Sequence, residues 1–287
     1  MSAVELGFIG LGQMGAPMAG HLAGAGLIVY DARPEAMAPL AAAGARAAGG
    51  VAEVAERARV VSVMVRDDAQ VAEVGAEVLA AARPGTVLAI HSTIRARTAE
   101  DLAARAAPHG IEVVDAPVSG SFIGAAEGNL AVMAGGTEEA FERCREPFGA
   151  WAGLVLHMGP VGSGTRAKLA RNLLQFAAFA AAAEAQRLAE ASGVSLRKLA
   201  RVVRHTDAIT GGPSSIMLRP TAAPLTPDDG LYDVLRNVRD LGEKDLALAV
   251  ELAGELGVDV PMTRLALDRL AAGLGLEASA GRGGADG

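Results

Sequence analysis

Cysteine is nearly absent from this chain of 287 residues. The one present, Cys144, excludes a disulfide framework and any multi-cysteine metal site. Lysine is almost as scarce. Of 26 basic residues only Lys168, Lys198 and Lys244 are lysines, and the other 23 are arginine. Arginine keeps its proton in a protein, whereas a buried lysine can give it up, so the few lysines are pointers to sites that need an amine. No basic tract stands out, and 33 acidic residues outweigh the 26 basic ones to give a net charge of −7. Nucleic acid and an anionic membrane surface are thereby disfavoured as partners. The most apolar stretch, Leu173 to Ala183, is interrupted by Gln175, ends at Glu184 and is too short to span a bilayer. Met1 to Ile9 lacks the basic start and long apolar stretch of a signal peptide, so a cytoplasmic protein is expected. The five histidines (His21, His91, His109, His157, His205) show no ligand spacing, and no metal is expected. Each reads as structural or exposed, with His91 of most interest because it sits beside Thr93 at a strand end.

What is present is apolar: 51% hydrophobic against 21% charged residues, enough for a sizeable core and too much for wholesale disorder. The length suits two domains or one large one. In the first half, short apolar runs read as buried strands: Val4 to Ile9, Leu27 to Tyr30, Val60 to Val65, Val87 to Ile90 and Ile111 to Val114. Helical patterns lie between them, at Met14 to Ala25, Ala69 to Ala82 and Thr98 to Ala107. That alternation predicts a mostly parallel sheet with helices on both faces, an α/β fold. Leu130 to Met133 and Leu154 to Met158 read as later strands flanking a helix from Glu138 to Phe148.

After the glycine-rich breaker Gly159 to Thr165 the pattern turns wholly helical. Ala167 to Ala191 predicts a rod of roughly 37 Å, apolar nearly all round, that must be buried on most sides between domains or against a partner subunit. Further helices are expected at Ser195 to Arg204, Leu231 to Leu256 and Met262 to Leu274. The expected domains are 1–162 and 163–276, followed by a disordered tail, 277–287.

Gly10, Gly12 and Gly15 form GxGxxG, with Leu11, Gln13 and Met14 between them. A strand runs into the motif and a helix leaves it. The first glycine permits the turn, the second lets backbone approach a pyrophosphate, and the third lets helix and strand pack closely. The helix start offers free N–H groups to the phosphates. Asp31 ends the next strand and suits the hydroxyls of an adenosine ribose, favouring NAD over NADP. Arg33, two residues on, keeps NADP possible.

Three further segments carry chemistry. DAPVSGS (Asp115 to Ser121) follows a strand, and its Ser119 and Gly120 offer donors without bulk, as a carboxylate requires. Lys168 and Asn172 lie four residues apart, which stacks them on one helix face. Lys168 either snorkels to solvent or reaches into a cleft where desolvation lowers its pKa, and Asn172 favours the second reading. Arg171 lines the same cleft or caps its edge. Lys244 opens KDLALA, a pattern that by itself reads as a solvated helix position.

Together these segments resemble the β-hydroxyacid dehydrogenase family over roughly residues 4–272. The carriers are GFIGLGQMGAPMA from Gly7, DAPVSGS from Asp115, GSGTRAKLARN from Gly162 and KDLALA from Lys244. The resemblance implies an N-terminal Rossmann domain, a long interdomain helix and an all-α C-terminal domain. It implies hydride transfer between a nicotinamide cofactor and a 3-hydroxy acid or its semialdehyde, in a homodimer or homotetramer. By resemblance, Lys168 is the general acid/base and Asn172 orients substrate. Ser119, Gly120 and Ser121 hold its carboxylate, Thr93 touches cofactor and substrate, and Met64 and Val65 pass over the cofactor. Lys244 closes the site beside the nicotinamide.

Two positions depart from the family pattern. Ser121 stands where a second glycine is usual, and Arg171 where the first of two asparagines is usual. Arg171 is expected to bind an extra anionic or polar substrate group. The part before Lys244, often aromatic in the family, reads NVRDLGE. Two alternatives remain at this level. One is an imine reductase-like enzyme, against which Lys168 argues. The other is a dinucleotide-binding module without turnover, against which the Lys168–Asn172 pair argues.

Overall fold

The fold is taken from a computed structural model, which describes residues 6–24 and 26–277. Two compact units divide the chain between Asn172 and Leu173. The expected strand residues Val4 and Glu5, helix residue Ala25 and all of the expected tail after Glu277 lie outside the described residues.

The first unit is a nine-stranded sheet with helices on both faces. Its elements run β1 (Leu6–Ile9), α1 (Gly15–Gly20), β2 (Leu27–Tyr30), α2 (Pro34–Ala42), β3 (Arg46–Ala47), α3 (Val51–Arg57), β4 (Val60–Val63) and α4 (Asp68–Ala81). They continue with β5 (Val87–Ile90), α5 (Ala96–Ala106), β6 (Glu112–Asp115), β7 (Val118–Ser119), α6 (Ser121–Ala126), β8 (Leu130–Gly135), α7 (Glu138–Gly149), β9 (Ala152–Gly159) and the first turns of α8 (Ser163–Ala191). The strand order is β3-β2-β1-β4-β5-β6-β8-β7, with β9 beside β8. Strands β3 to β6 pair in parallel, and β8 runs antiparallel to β6 and β7.

Successive residues of the central strands serve opposite faces, as the period of two requires. Phe8, Val29, Val60, Ala89 and Val114 enter one core with Met18, Phe141, Phe148 and Trp151. Ile9, Ile28, Val61, Leu88 and Val113 enter the other with Val54, Val78 and Leu102. Covered on both faces, β4 (VVSV) and β5 (VLAI) are wholly buried, which is why they are almost entirely apolar. His91 belongs to this scaffold. Its ring nitrogens bond Ser62 Oγ at 3.0 Å and the Ala116 carbonyl at 2.9 Å, tying together the ends of β4, β5 and β6. Burial lowers its pKa to about 4, with the Ala116 bond acting in the opposite sense, so the ring is neutral.

The second unit contains the rest of α8, then α9 (Leu196–Thr210), α10 (Tyr232–Leu256) and α11 (Pro261–Gly273). Ser195 Oγ accepts the Lys198 N–H at the start of α9, and left-handed Gly211 and Gly257 end α9 and α10. Glu184, buried within α8, accepts the N–H groups of Met262 and Thr263 at 2.7 and 2.8 Å and so caps α11. The core of this unit is small, centred on Leu235, Leu274 and Leu276. Within the single chain, Leu173, Phe176 and Phe179 of the long helix are 72%, 62% and 58% exposed.

The helix expected from Met14 to Ala25 is shorter, Gly15–Gly20. Glycines at 20 and 24, the latter left-handed, turn the chain into β2.

Candidate active site

Strand order reverses at β1, whose neighbours β2 and β4 leave in opposite directions, and a crevice opens where their carboxyl ends part. A cavity of about 710 Å³ lies there. Gly10, Gly12, Gln13, Met14, Gly15, Asp31, Arg33, Met64 and Val65 all line it. Gly10 has φ +91°, and a Cβ on it would overlap the Met64 carbonyl, so only glycine lets the loops after β1 and β4 approach. A Cβ on Gly15 would overlap the Gly10 carbonyl, which explains the third glycine. Gly12, in contrast, faces open space and leaves backbone bare towards the cleft.

Leu11 does not line the cavity. Its side chain is buried, while its N–H donates to Asp31 Oδ2 at 2.7 Å. Asp31 Oδ1 accepts the Arg33 N–H at 2.9 Å and its Nε at 3.2 Å. Burial works to raise the Asp31 pKa, but bonds from Arg33 and Leu11 outweigh it and hold the carboxyl below its usual range. An ionised acid therefore stands at the end of β2.

Residues that the sequence reading passed over also shape the cleft. Arg66 follows Val65, and Gln70, Glu73, Val74 and Glu77 form one wall. Their i, i+3, i+4, i+7 spacing on α4 is the available signal. Ser92 was missed as well. Its hydroxyl accepts the Val65 N–H at 2.9 Å and donates to the Val65 carbonyl at 2.8 Å, pinning the loop that carries Met64 and Val65. Neighbouring Thr93 is exposed at the end of β5 and does not line the cavity.

Helix α8 begins beside β6. A Cβ on Gly164 would overlap the carbonyls of Asp115 and Met133, so the first turn of α8 lies against the ends of β6 and β8. Lys168 and Asn172 follow Gly164 at intervals of four, on the same side. Lys168 is 8% exposed and forms no ion pair among the described residues. Desolvation, then the nearby Arg171 charge, lowers its pKa to about 8. Arg171 is exposed, with Nη1 at 3.4 Å from Asn172 Oδ1. Ser119, the last residue of β7, is half-buried, and Gly120 and Ser121 follow it exposed. Ser121 has φ +61°, the one non-glycine in the left-handed region among the described residues, where a glycine would be unstrained. Lys244 lies on α10 in the second unit, its ammonium 3.1 Å from Asp245.

A cleft at the sheet's switch point, lined by glycines and by an ionised acid, defines a dinucleotide-binding protein with a second, helical unit. Residues 5–159 match the NAD binding domain of 6-phosphogluconate dehydrogenase, and residues 162–285 match the family described as NAD-binding of NADP-dependent 3-hydroxyisobutyrate dehydrogenase. An uncharacterized oxidoreductase of Mycobacterium tuberculosis is 55% identical over 95% of this chain and 94% of its own length. A crystal structure of an oxidoreductase from Mycobacterium avium 104 superposes with a TM-score of 0.90 at 52% identity, covering 95% of this chain and 99% of that one. The 3-hydroxyisobutyrate dehydrogenase of Mycobacterium tuberculosis, solved with L-serine, gives 0.65 at 33% identity, covering 93% and 92%. The chain belongs to the β-hydroxyacid dehydrogenase family, NAD(P)-dependent oxidoreductases that act on small hydroxy acids. Among the described residues no helix is long and apolar enough to cross a membrane.

Proposed function

We propose that the protein interconverts a small 3-hydroxy acid and the matching semialdehyde, with Lys168 as general acid/base and NAD as the preferred cofactor. The observation that carries this reading is Lys168: a buried, unpaired amine with a pKa near 8, beside Asn172 on the helix that starts at the carboxyl end of β6. An amine so placed changes protonation near neutral pH, which general acid–base catalysis needs.

When bound, the dinucleotide would supply the acceptor or donor of a hydride for the carbon that bears the substrate hydroxyl. Gly10, Gly12 and Gly15 would hold its pyrophosphate, Asp31 its adenosine ribose, and Met64 and Val65 would cover it. In the oxidative direction the neutral Lys168 amine takes the hydroxyl proton as the carbonyl forms. In reduction the ammonium returns it. Asn172 orients the oxygen, and the donors of Ser119, Gly120 and Ser121 suit the carboxylate. Arg171 favours substrates with a further anionic or polar group. Lys244 enters this proposal by the resemblance alone.

A homodimer or homotetramer fits the second unit. Among residues 173–277 only Glu184, Leu235, Glu243, Ala253, Val260, Ala271, Leu274 and Leu276 are buried, while α9 buries none. Leu173, Phe176 and Phe179 extend from Leu169 along α8 as an exposed apolar stripe, of the kind that marks an interface. A second copy of the chain is the occupant proposed, and Phe176→Glu should lower the mass seen by sedimentation.

The deciding assay offers 3-hydroxyisobutyrate, serine, glycerate, 4-hydroxybutyrate and sulfonate analogues, each with NAD and with NADP. Turnover of a 3-hydroxy acid with NAD supports the reading. Reduction of cyclic imines alone would favour the imine reductase alternative, and cofactor binding without turnover would favour the non-catalytic module. An unchanged substrate profile in Arg171→Ala would remove Arg171 from recognition.

A further inference from the structure

We infer that Asp115 is a positioning residue for Lys168: its carboxylate clamps the start of α8 to the end of β6 and so sets where the amine stands. The inference rests on the proposed role of Lys168. Asp115 is fully buried at the last position of β6. Its Oδ1 accepts the Gly162 N–H at 2.7 Å and its Oδ2 accepts the Thr165 N–H at 2.6 Å. Gly162 immediately precedes α8 and Thr165 lies in its opening turn, where backbone N–H groups have no partner within the helix. One side chain therefore joins two segments 47 and 50 residues apart in sequence with both oxygens used. The positive end of the 29-residue helix supplies the charge complement.

The joint has no slack. A Cβ on Gly135 would overlap Asp115 Oδ1, and a Cβ on Gly164 would overlap the Asp115 carbonyl. Backbone packs directly against the clamp on both sides. Lys168 stands one helical turn beyond Gly164 and Asn172 one turn beyond that. A displacement of the first turn is carried along a rigid helix to both side chains. Misplacing a catalytic group by about 1 Å can cost on the order of a hundredfold in rate. Asp115 is not itself a catalytic residue, because its carboxylate is sealed in the joint. Burial raises its pKa, opposed by the bonds from Thr165 and Gly162.

Asp115→Asn keeps the shape but replaces one acceptor with a donor. The expected result is a kcat at least about tenfold lower with an NADH Kd within twofold of the parent. The Lys168 limb of the pH profile should also move up from about 8, as the loosened amine gains water. Gly164→Ala leaves the carboxylate intact, displaces the same turn, and should give the same signature. In the parent enzyme the Gly162 and Thr165 amides should exchange with deuterium as slowly as those of β6. Freely exchanging amides overturn the inference, as does a variant that loses thermal stability while keeping kcat and the pH limb. Lys168→Ala separates the two readings. If it stays active, the Lys168 assignment fails first. If it is inactive while Asp115→Asn behaves like the parent, only the positioning role fails.

Discussion

Asp31 at the end of β2 holds the N–H of Leu11, inside the glycine loop at the end of β1, at 2.7 Å. The bond joins the ends of β1 and β2 across the cleft. It also fixes a negative charge where the adenosine ribose is proposed to lie, and the second oxygen engages Arg33. With Arg33 committed to Asp31, a 2′-phosphate meets an acid rather than a free guanidinium. NAD should therefore be used better than NADP. Asp31→Ser removes the acid and releases Arg33. It should lower kcat/KM for NAD by on the order of 10- to 100-fold, the worth of a charge-assisted hydrogen bond, and raise the NADP-to-NAD ratio. A parent enzyme that prefers NADP would contradict this reading.

The Ser92 hydroxyl both donates to and accepts from the Val65 backbone, acting as a two-way latch on the loop proposed to cover the cofactor. Removing it leaves a backbone N–H and carbonyl to find new partners, which costs about 1–2 kcal/mol. Ser92→Ala should weaken NADH binding by roughly 5- to 30-fold in a fluorescence titration. The kcat at saturating cofactor should change little, since the latch is remote from Lys168 in sequence and element.

The lowered pKa of Lys168 sets the sign of the pH dependence. In the oxidative direction the amine must begin neutral, so kcat/KM should rise with pH and level off above about 8. In the reductive direction it must begin protonated, and the rate should fall above the same value. Lys168→Ala should remove the limb and about 10²–10⁴ of the rate. Arg171→Gln removes a cation that disfavours the ammonium, so the limb should shift upward. Titration of both directions in one buffer series checks all of these signs.

Much of the dinucleotide half could be read from the chain. Strands buried on both faces announce themselves as apolar runs, and Gly10, Gly12, Gly15 and Asp31 sit at spacings that backbone geometry enforces. Helix α2 went unread because it begins at Pro34 and contains Pro39, residues that signal a break before they signal a helix. The two-residue strands β3 and β7 carry no periodicity at all. Ser92 and Asp115 act through long-range contacts to backbone groups 27 and 47 residues away, and no local pattern encodes such a partner. The exposed stripe on α8 marks the opposite case. Its apolar character was plain in the sequence, but whether one chain buries it depends on neighbours that the pattern does not name.

A buried ammonium without an ion pair is a liability to the fold, and Lys168 should show it. Its folded pKa, about 8, lies below the 10.5 of an exposed lysine, so between those values the unfolded chain binds more protons. Stability should therefore rise with pH across that window, while the full penalty is felt below about pH 8. At pH 7 the charge costs on the order of 1–3 kcal/mol, part of it screened by solvent. Lys168→Met keeps the length of the side chain and removes the charge. It should raise the denaturation midpoint at pH 7 while abolishing turnover, and the gain should vanish near pH 10. A lysine kept where methionine is more stable is retained for its chemistry, since activity often requires a site that opposes stability. Equal or lower stability of Lys168→Met at pH 7 would instead mean that the amine is solvated, and the low pKa with its catalytic reading would both fall.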